Sequence, residues 1–228
     1  LDVVVNATPH PAHAETSIAA LRAGRHVLCE KPPACSLEEC EAMGAAAREA
    51  RRQLLIHFQH LLRPSARWLG GALRAGRLGR LRRVTCRSLW FRTTDYYRRA
   101  DWTGKRYWRG RPTFDGTMVN QTIHYIHQML ALATRGVEGE VAPPAEMRAA
   151  LYRFHPADAL EMEDTVVAVG RLDNADRTEF AFAGTTCAAG SEGGSRLAEY
   201  QGLPERHEIV LEGERGRAVW NGAARVSR

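Results

Sequence analysis

His26-Val27-Leu28-Cys29-Glu30-Lys31-Pro32-Pro33 decides how this chain is read. A short apolar run stops at an acid, a lysine and two prolines, which predicts a buried β-strand over His26 to Cys29. Pro32 and Pro33 carry no backbone N–H and cannot extend the pairing. Glu30 and Lys31 therefore stand at the carboxyl end of a strand, the edge where ligands bind in open α/β sheets.

Outward from that stretch the pattern repeats. Leu1 to Asn6 is short, valine-rich and continuous, as in a buried parallel strand. Ala7-Thr8-Pro9-His10-Pro11 breaks it. Ala12 to Ala23 predicts a helix, with Ile18 and Leu21 one turn apart and Gly24 as its C-terminal cap. Strand, helix and strand joined by short loops imply parallel pairing with a right-handed crossover. Downstream, Ser36 to Arg52 predicts a helix opened by a Ser36/Glu39 capping box, with Leu37, Cys40, Met43 and Ala47 as its apolar stripe. Leu54 to Phe58 reads as a third strand, and Pro64 to Ala75 as a helix burying Trp68 and Leu69, closed by Gly76.

The second part has another character. Leu81 to Thr93 predicts a long strand with Leu81, Arg83 and Thr85 opposite Arg82, Val84 and Cys86. Thr94 to Thr113 reads as a long polar loop rich in Tyr, Trp and Arg, a length usually tied to function or mobility. Met118 to Ala133 is helical in pattern. Strands follow at Met147–His155, Asp164–Leu172, Arg177–Thr186, His207–Glu212 and Ala218–Trp220, with Asp173 to Asp176 as a hairpin turn and Ala188 to Arg206 as a polar, glycine-rich loop. The expected fold class is α/β followed by α+β: a parallel unit over residues 1–60, then a mostly antiparallel sheet domain over 61–228.

Composition bounds the partners. With 228 residues, 44% of them apolar and 25% charged, the chain is an ordinary globular one with length enough for a sizeable core. No apolar run approaches the roughly 18 residues that span a bilayer, so no membrane is expected. Only Lys31 and Lys105 are lysine among the 32 basic residues, so the net charge of +6 is carried by arginine. Arg74 to Arg111 is the densest basic stretch and contains Trp90, Phe91, Tyr96 and Tyr97. Its arginines read as solvated positions on a strand and loop, and no nucleic-acid partner is expected. Five cysteines without framework spacing, and no secretion signal, point to a reduced cytoplasmic compartment. The chain opens without Met, inside a strand-like run, and reads as a piece of a longer protein.

Three groups carry chemistry. Lys31 lies at the ligand edge of the sheet, in a chain where arginine fills nearly every indifferent basic site. Asn120 and His124 are four apart on a helix, hence neighbours on one face, and His124 is a natural proton acceptor near pH 7. His-x-x-His occurs at His10/His13, His57/His60 and His124/His127. No Cys-x-x-Cys or His-Glu-x-x-His accompanies these pairs, and no metal is expected. Cys29, Cys35 and Cys40 read as small buried residues. No Walker loop is present, and no G-x-G-x-x-G follows a strand.

Asp2 to Pro9, His13, and Ala23 through Glu30-Lys31-Pro32, followed by Gly116 through Asn120 to His124, Glu163-Asp164-Thr165 and Glu212-Gly213 with Gly216, together resemble the Gfo/Idh/MocA family of glucose–fructose oxidoreductase and inositol dehydrogenase. The resemblance implies a Rossmann domain followed by an open, mostly antiparallel sheet domain. It implies hydride transfer between NAD or NADP and a carbinol carbon of a sugar or polyol. Lys31 would then hydrogen-bond the reacting oxygen, His124 act as acid and base, and Asn120 position substrate hydroxyls. Asn6, Thr8, Pro9, His13, Glu30 and Lys31 would line the cofactor. Association into a homo-oligomer through the outer face of the second sheet is also implied. A non-catalytic dinucleotide- or sugar-binding sensor on the same scaffold is the alternative, and a metal-dependent enzyme using the histidine pairs a more distant one. The chain departs from the family pattern at Phe114-Asp115-Gly116, where a glycine run is usual, at Asn120, where many members carry Asp, and at His127, where Asp is usual. The family's first strand and phosphate loop, roughly 60–70 residues in the two-halved Rossmann layout, are expected upstream.

Overall fold

A computed structural model describes residues 1–135, 141–187 and 206–227. Strands β1 (Val3–Asn6), β2 (His26–Cys29) and β3 (Leu54–Ile56) form a parallel sheet in the order β1-β2-β3. Helices α1 (His13–Arg22) and α2 (Leu37–Ala50) connect them and pack against each other. Leu21, Val27, Cys29, Met43 and Ala46 close the core between helices and sheet. Gly24 takes φ +75°, the left-handed turn that ends α1.

Two expectations for this unit need correction. β1 is not buried on both faces: Val5 is 67% exposed, and Val3 and Leu55 are exposed with it, because both helices cover the same face. Leu37 is 69% exposed. It lies six residues before the buried Met43, about 120° round the helix, so it misses the stripe that Met43, Ala46 and Ala47 make. The capping box holds in a shifted form. Ser36 Oγ accepts from Glu39 N at 3.2 Å, while the Glu39 carboxylate reaches Cys35 N at 2.9 Å, one residue before the expected partner.

The second sheet has seven strands in the order β12-β11-β10-β4-β9-β8-β7. They are β4 (Leu81–Leu89), β7 (Pro144–Tyr152), β8 (Thr165–Leu172), β9 (Glu179–Thr185), β10 (Arg206–Gly213), β11 (Gly216–Trp220) and β12 (Ala224–Ser227). Neighbours pair antiparallel except β4 with β9, which is parallel. Helices α3 (Pro64–Arg74) and α5 (Ile123–Ala133) cover one face, burying Leu69, Val84, Met129, Phe182 and Leu211. The opposite face leaves Val167 and Val169 exposed.

β4 alternates less simply than its sequence. Leu81 pairs with Gly213 and Arg83 with Glu212, which leaves Arg82 as a bulge. The extra residue turns Leu81 onto the core face with Val84 and Cys86, and puts both Arg82 and Arg83 outside. The strand stops at Leu89, short of the expected Thr93. Trp68, expected inside, is exposed: the buried face of α3 runs through Ala66, Leu69, Ala72 and Leu73. β12 was not foreseen; four residues after a Gly222 turn give little pattern.

The stretch read as a polar loop is structured. It holds α4 (Thr94–Tyr97) and a small hairpin of β5 (Tyr107–Trp108) and β6 (Arg111–Pro112). Tyr97 Oη and Thr186 Oγ1, 2.7 Å apart, tie it to the sheet. α5 is entered through one π-helical turn, Thr117–Gln121, rather than directly from Met118. The expected loop after Ala188 falls outside the described residues up to 205.

Candidate active site

Lys31 leaves the end of β2 and crosses to the second domain. Its Nζ donates to both the backbone oxygen and the side-chain Oδ1 of Asn120, each at 2.8 Å. Burial lowers its pKa below the ordinary lysine value; the nearby carboxylates of Glu30 and Asp115 oppose that shift, and the guanidinium groups of Arg92 and Arg99 add to it. Glu30 is held in turn, its Oε2 accepting from Lys31 N at 3.2 Å and its Oε1 lying 2.7 Å from His57 Nδ1.

Asn120 sits in the π turn and is buried. Its Nδ2 donates to Asp115 Oδ1. Asp115 Oδ2 accepts from Gly104 N at 2.6 Å. Gly104 has φ +69°, and a Cβ there would stand 3.0 Å from the Ala159 carbonyl oxygen, so the position calls for glycine. Gly116, at the head of the turn, makes room for the Glu163 carboxylate: a Cβ would come within 2.3 Å of its oxygens. Glu163 Oε1 accepts from Met118 N at 3.0 Å and braces the turn.

His124 is on the first turn of α5 and buried. Among the described residues neither ring nitrogen has a hydrogen bond, and Nδ1 is fully buried. The His60 ring stacks on it with centroids 4.5 Å apart, and Phe58 meets it edge-on at 6.1 Å. Burial, then the neighbouring His60 and Lys31, hold its pKa down to about 3. This differs from the expectation of titration near pH 7. The side chains that lower it, His60, Lys31, His57 and His127, are cationic or able to become so. The ring is therefore neutral across the physiological range.

Sequence reasoning brought Lys31, Asn120 and His124 together, and the structure does the same. It gives other work to Asn6 and His13. Asn6 Nδ2 donates to His13 O at 3.0 Å and Ser17 Oγ at 2.9 Å, and its Oδ1 accepts from the Thr8 hydroxyl at 2.8 Å. The His13 ring spans the carbonyls of Pro32 and Thr8 at 2.7 and 2.8 Å. Both residues shape the turn after β1; Thr8 is exposed and Pro9 half-buried beside the Glu30–Lys31 edge. Asp115 and His60 were not foreseen as site residues. The signals were an acid inside a segment where glycine is usual, and one member of a His-x-x-His pair.

A second titratable cluster lies under the sheet edge. His155 Nδ1 is 2.9 Å from Asp164 Oδ2 and 3.3 Å from Cys187 Sγ, and its Nε2 is 2.9 Å from Arg92 O. Asp164 Oδ2 also accepts from the backbone N–H of Phe154 and of His155, each at 2.7 Å. Asp164 and Cys187 approach the same ring nitrogen, so the three do not form a nucleophile–base–acid relay, which needs the ring between its partners. Burial opposes charge on His155, yet Asp164 and Cys187 raise its pKa to about 10.

Fold and site thus define a parallel α/β unit whose strand-end lysine faces an open-sheet domain. Residues 1–58 match the family model described as an oxidoreductase family with an NAD-binding Rossmann fold, and residues 67–219 match the GFO/IDH/MocA C-terminal domain. The chain belongs to the Gfo/Idh/MocA oxidoreductase family. It is 44% identical over 82 residues to a 1,5-anhydro-D-fructose reductase of Ensifer adhaerens, a match covering 35% of this chain and 24% of that protein. It is 36% identical over 88 residues to the D-glucoside 3-dehydrogenase of Escherichia coli, covering 39% of this chain and 25% of that one. The WlbA dehydrogenase of Bordetella pertussis, crystallised with NADH and UDP-GlcNAcA, superposes with a TM-score of 0.78 at 28% identity, over 100% of this chain and 58% of that one. The chain spans about a quarter of the length of the curated relatives it matches.

Proposed function

We propose that this chain is part of an NAD(P)-dependent oxidoreductase that moves a hydride to or from a carbinol carbon of a sugar or polyol. One observation carries the reading: Lys31 Nζ, pinned by Asn120 at a strand end, lies near enough to act electrostatically on a buried His124 whose Nδ1 has no partner among the described residues. Family membership and relatives that are sugar dehydrogenases and reductases support it. We divide the chain at about residue 60, into part of a cofactor domain and a substrate domain, in keeping with the two family-model matches.

NAD or NADP fits the residues present. The exposed Thr8 turn and the Glu30–Lys31 edge lie side by side at the carboxyl ends of two parallel strands, the position ligands take in such sheets. Thr8, Pro9, Glu30 and Lys31 would contact the cofactor, with Asn6 and His13 holding the turn. When bound, the nicotinamide ring supplies the hydride acceptor or donor. Lys31 donates a hydrogen bond to the reacting oxygen and steadies charge that develops there. His124, neutral at physiological pH, takes the hydroxyl proton in oxidation and returns it in reduction. Asn120 orients Lys31 and substrate hydroxyls.

No helix among the described residues is long and apolar enough to cross a membrane. We place the protein in the cytoplasm, in line with five free cysteines. We also propose a homo-oligomer that covers the open face of the seven-stranded sheet, where Val167, Val169 and Tyr152 are exposed; sedimentation of a monomer at micromolar concentration would refute it. The functional test is NAD(P)+ reduction by the whole protein across a panel of sugars and polyols, wild type against Lys31→Met. Turnover that falls on the order of 10²-fold or more in the variant is expected.

A further inference from the structure

Asp115 is almost fully buried and its carboxylate has two partners, the Gly104 N–H and the Asn120 amide nitrogen. The Asn120 amide has a carboxylate on one side and an ammonium on the other. A carboxylate accepts hydrogen bonds and an ammonium donates them, so the amide has one polarity open to it: Nδ2 toward Asp115 and Oδ1 toward Lys31. A second carboxylate at 120 would meet Asp115 directly, and one of the two would have to hold a proton.

We propose that Asp115 is a positioning residue for Lys31: anchored by Gly104, it locks the Asn120 amide so that Oδ1 faces the lysine, and it sets the lysine's charge without touching it. This deepens the oxidoreductase reading and rests on it for its functional meaning. The carboxylate is set back one hydrogen bond from the lysine. It steadies the ammonium electrostatically without contacting it. Other charges face Lys31 as well. Glu30 from the same strand end acts with Asp115, while Arg92 and Arg99, from the segments around α4, act against it. His10, His60 and His124 lie within its field. Among these, Asp115 is the group joined to Lys31 through a continuous chain of side-chain hydrogen bonds.

The chain's two lysines make the test direct. With ¹³C-labelled lysine, a pH titration of the Cε–Hε signals reads Lys31 and Lys105 separately in the full 228-residue chain. Lys105 Nζ pairs with Glu161 at 3.1 Å and gives the second signal. Asp115→Asn keeps the shape and removes the charge; Asn120→Ala breaks the relay and leaves Asp115 in place. Each is expected to lower the Lys31 midpoint by about one pH unit. In the double variant the two shifts should fall short of their sum. A Lys31 midpoint unchanged in either folded single variant overturns the proposal; should Asp115→Asn fail to fold, Asp115→Ser removes the charge in its place and decides it. Activity of the whole protein then gives a separate readout, the kcat–pH profile, whose limb assigned to Lys31 should move with the NMR midpoint. The titration needs no turnover, so a lysine that shifts in a protein without dehydrogenase activity would refute the oxidoreductase reading and leave the relay standing.

Discussion

His124 and His155 are buried to nearly the same degree, 8% and 5% exposed, and the fold drives them in opposite directions. His124 is held down to about 3 and His155 raised to about 10. Burial alone disfavours the charged ring in both places. The partners decide the difference. His155 meets a carboxylate on one nitrogen and a backbone carbonyl on the other, so both positions want a hydrogen. Among the described residues His124 has no acceptor, and Lys31 and His60 lie near it. One region pairs its histidine with a buried acid; the other keeps it neutral and, among the described residues, without a hydrogen-bond partner. Unsatisfied groups of the second kind are costly in a stable core and are expected where a ligand completes the set.

The largest effect is expected at the unpartnered histidine: His124→Ala in the whole protein should lower kcat by about 10²–10⁴-fold, with little change in thermal stability. A fall in stability with kcat intact would make His124 a core residue like His155. Next comes the charged pair. Asp164→Asn leaves an imidazolium buried without its counter-ion, and breaking such a pair by one partner costs about 3–5 kcal/mol. Urea unfolding should report a loss of that size, and a loss under about 1 kcal/mol would show that the pair contributes little.

A smaller and two-sided effect concerns pH. His60, His124 and His207 have folded pKa values of about 4, 3 and 4, against an ordinary 6.5. The unfolded chain then binds protons first, so stability falls as pH drops from 6.5 toward 4. For His155 the folded value, about 10, lies above 6.5. Its contribution is complete below 6.5 and is lost as pH rises through the folded value. Thermal unfolding should therefore show a maximum near neutrality, and His155→Phe should flatten the alkaline limb. An alkaline limb unchanged in that variant would separate His155 from it. The smallest effect is expected from His60→Leu. Burial is the leading cause of the His124 shift and His60 the next, so the His124 midpoint should rise by less than about one unit. A rise of several units would mean that charge, not burial, governs the pocket.

Much of this was legible in the sequence because it is local. The strand end at Glu30–Lys31, the Ser36 cap and the turn between β8 and β9 each follow from neighbouring residues. The pairing of Lys31 with Asn120 and His124 became legible through the family resemblance and not through spacing. Long-range register was hidden. The bulge that turns Leu81 inward depends on Gly213, over a hundred residues away. Val3 and Val5 read as buried because a valine run looks the same whether one face of its sheet is covered or both. Asp115 read as a departure from a glycine run, and its meaning depends on Gly104 and Asn120 being where they are. His155 with Asp164 was missed for the same reason: nothing in the order of residues says that a strand start will close on a histidine nine positions earlier.

The role proposed for Lys31, held across the domain junction by Asn120, is in the chemistry and not in the packing. The most direct measurement is the rate of NAD(P)+ reduction by the whole protein with its best polyol, for wild type and Lys31→Met, with unfolding of both followed in parallel. For the variant, a rate lower by on the order of 10²-fold or more is expected, with a midpoint of unfolding that stays near wild type. An unchanged rate, or a loss of rate that only tracks a loss of folded protein, would contradict it.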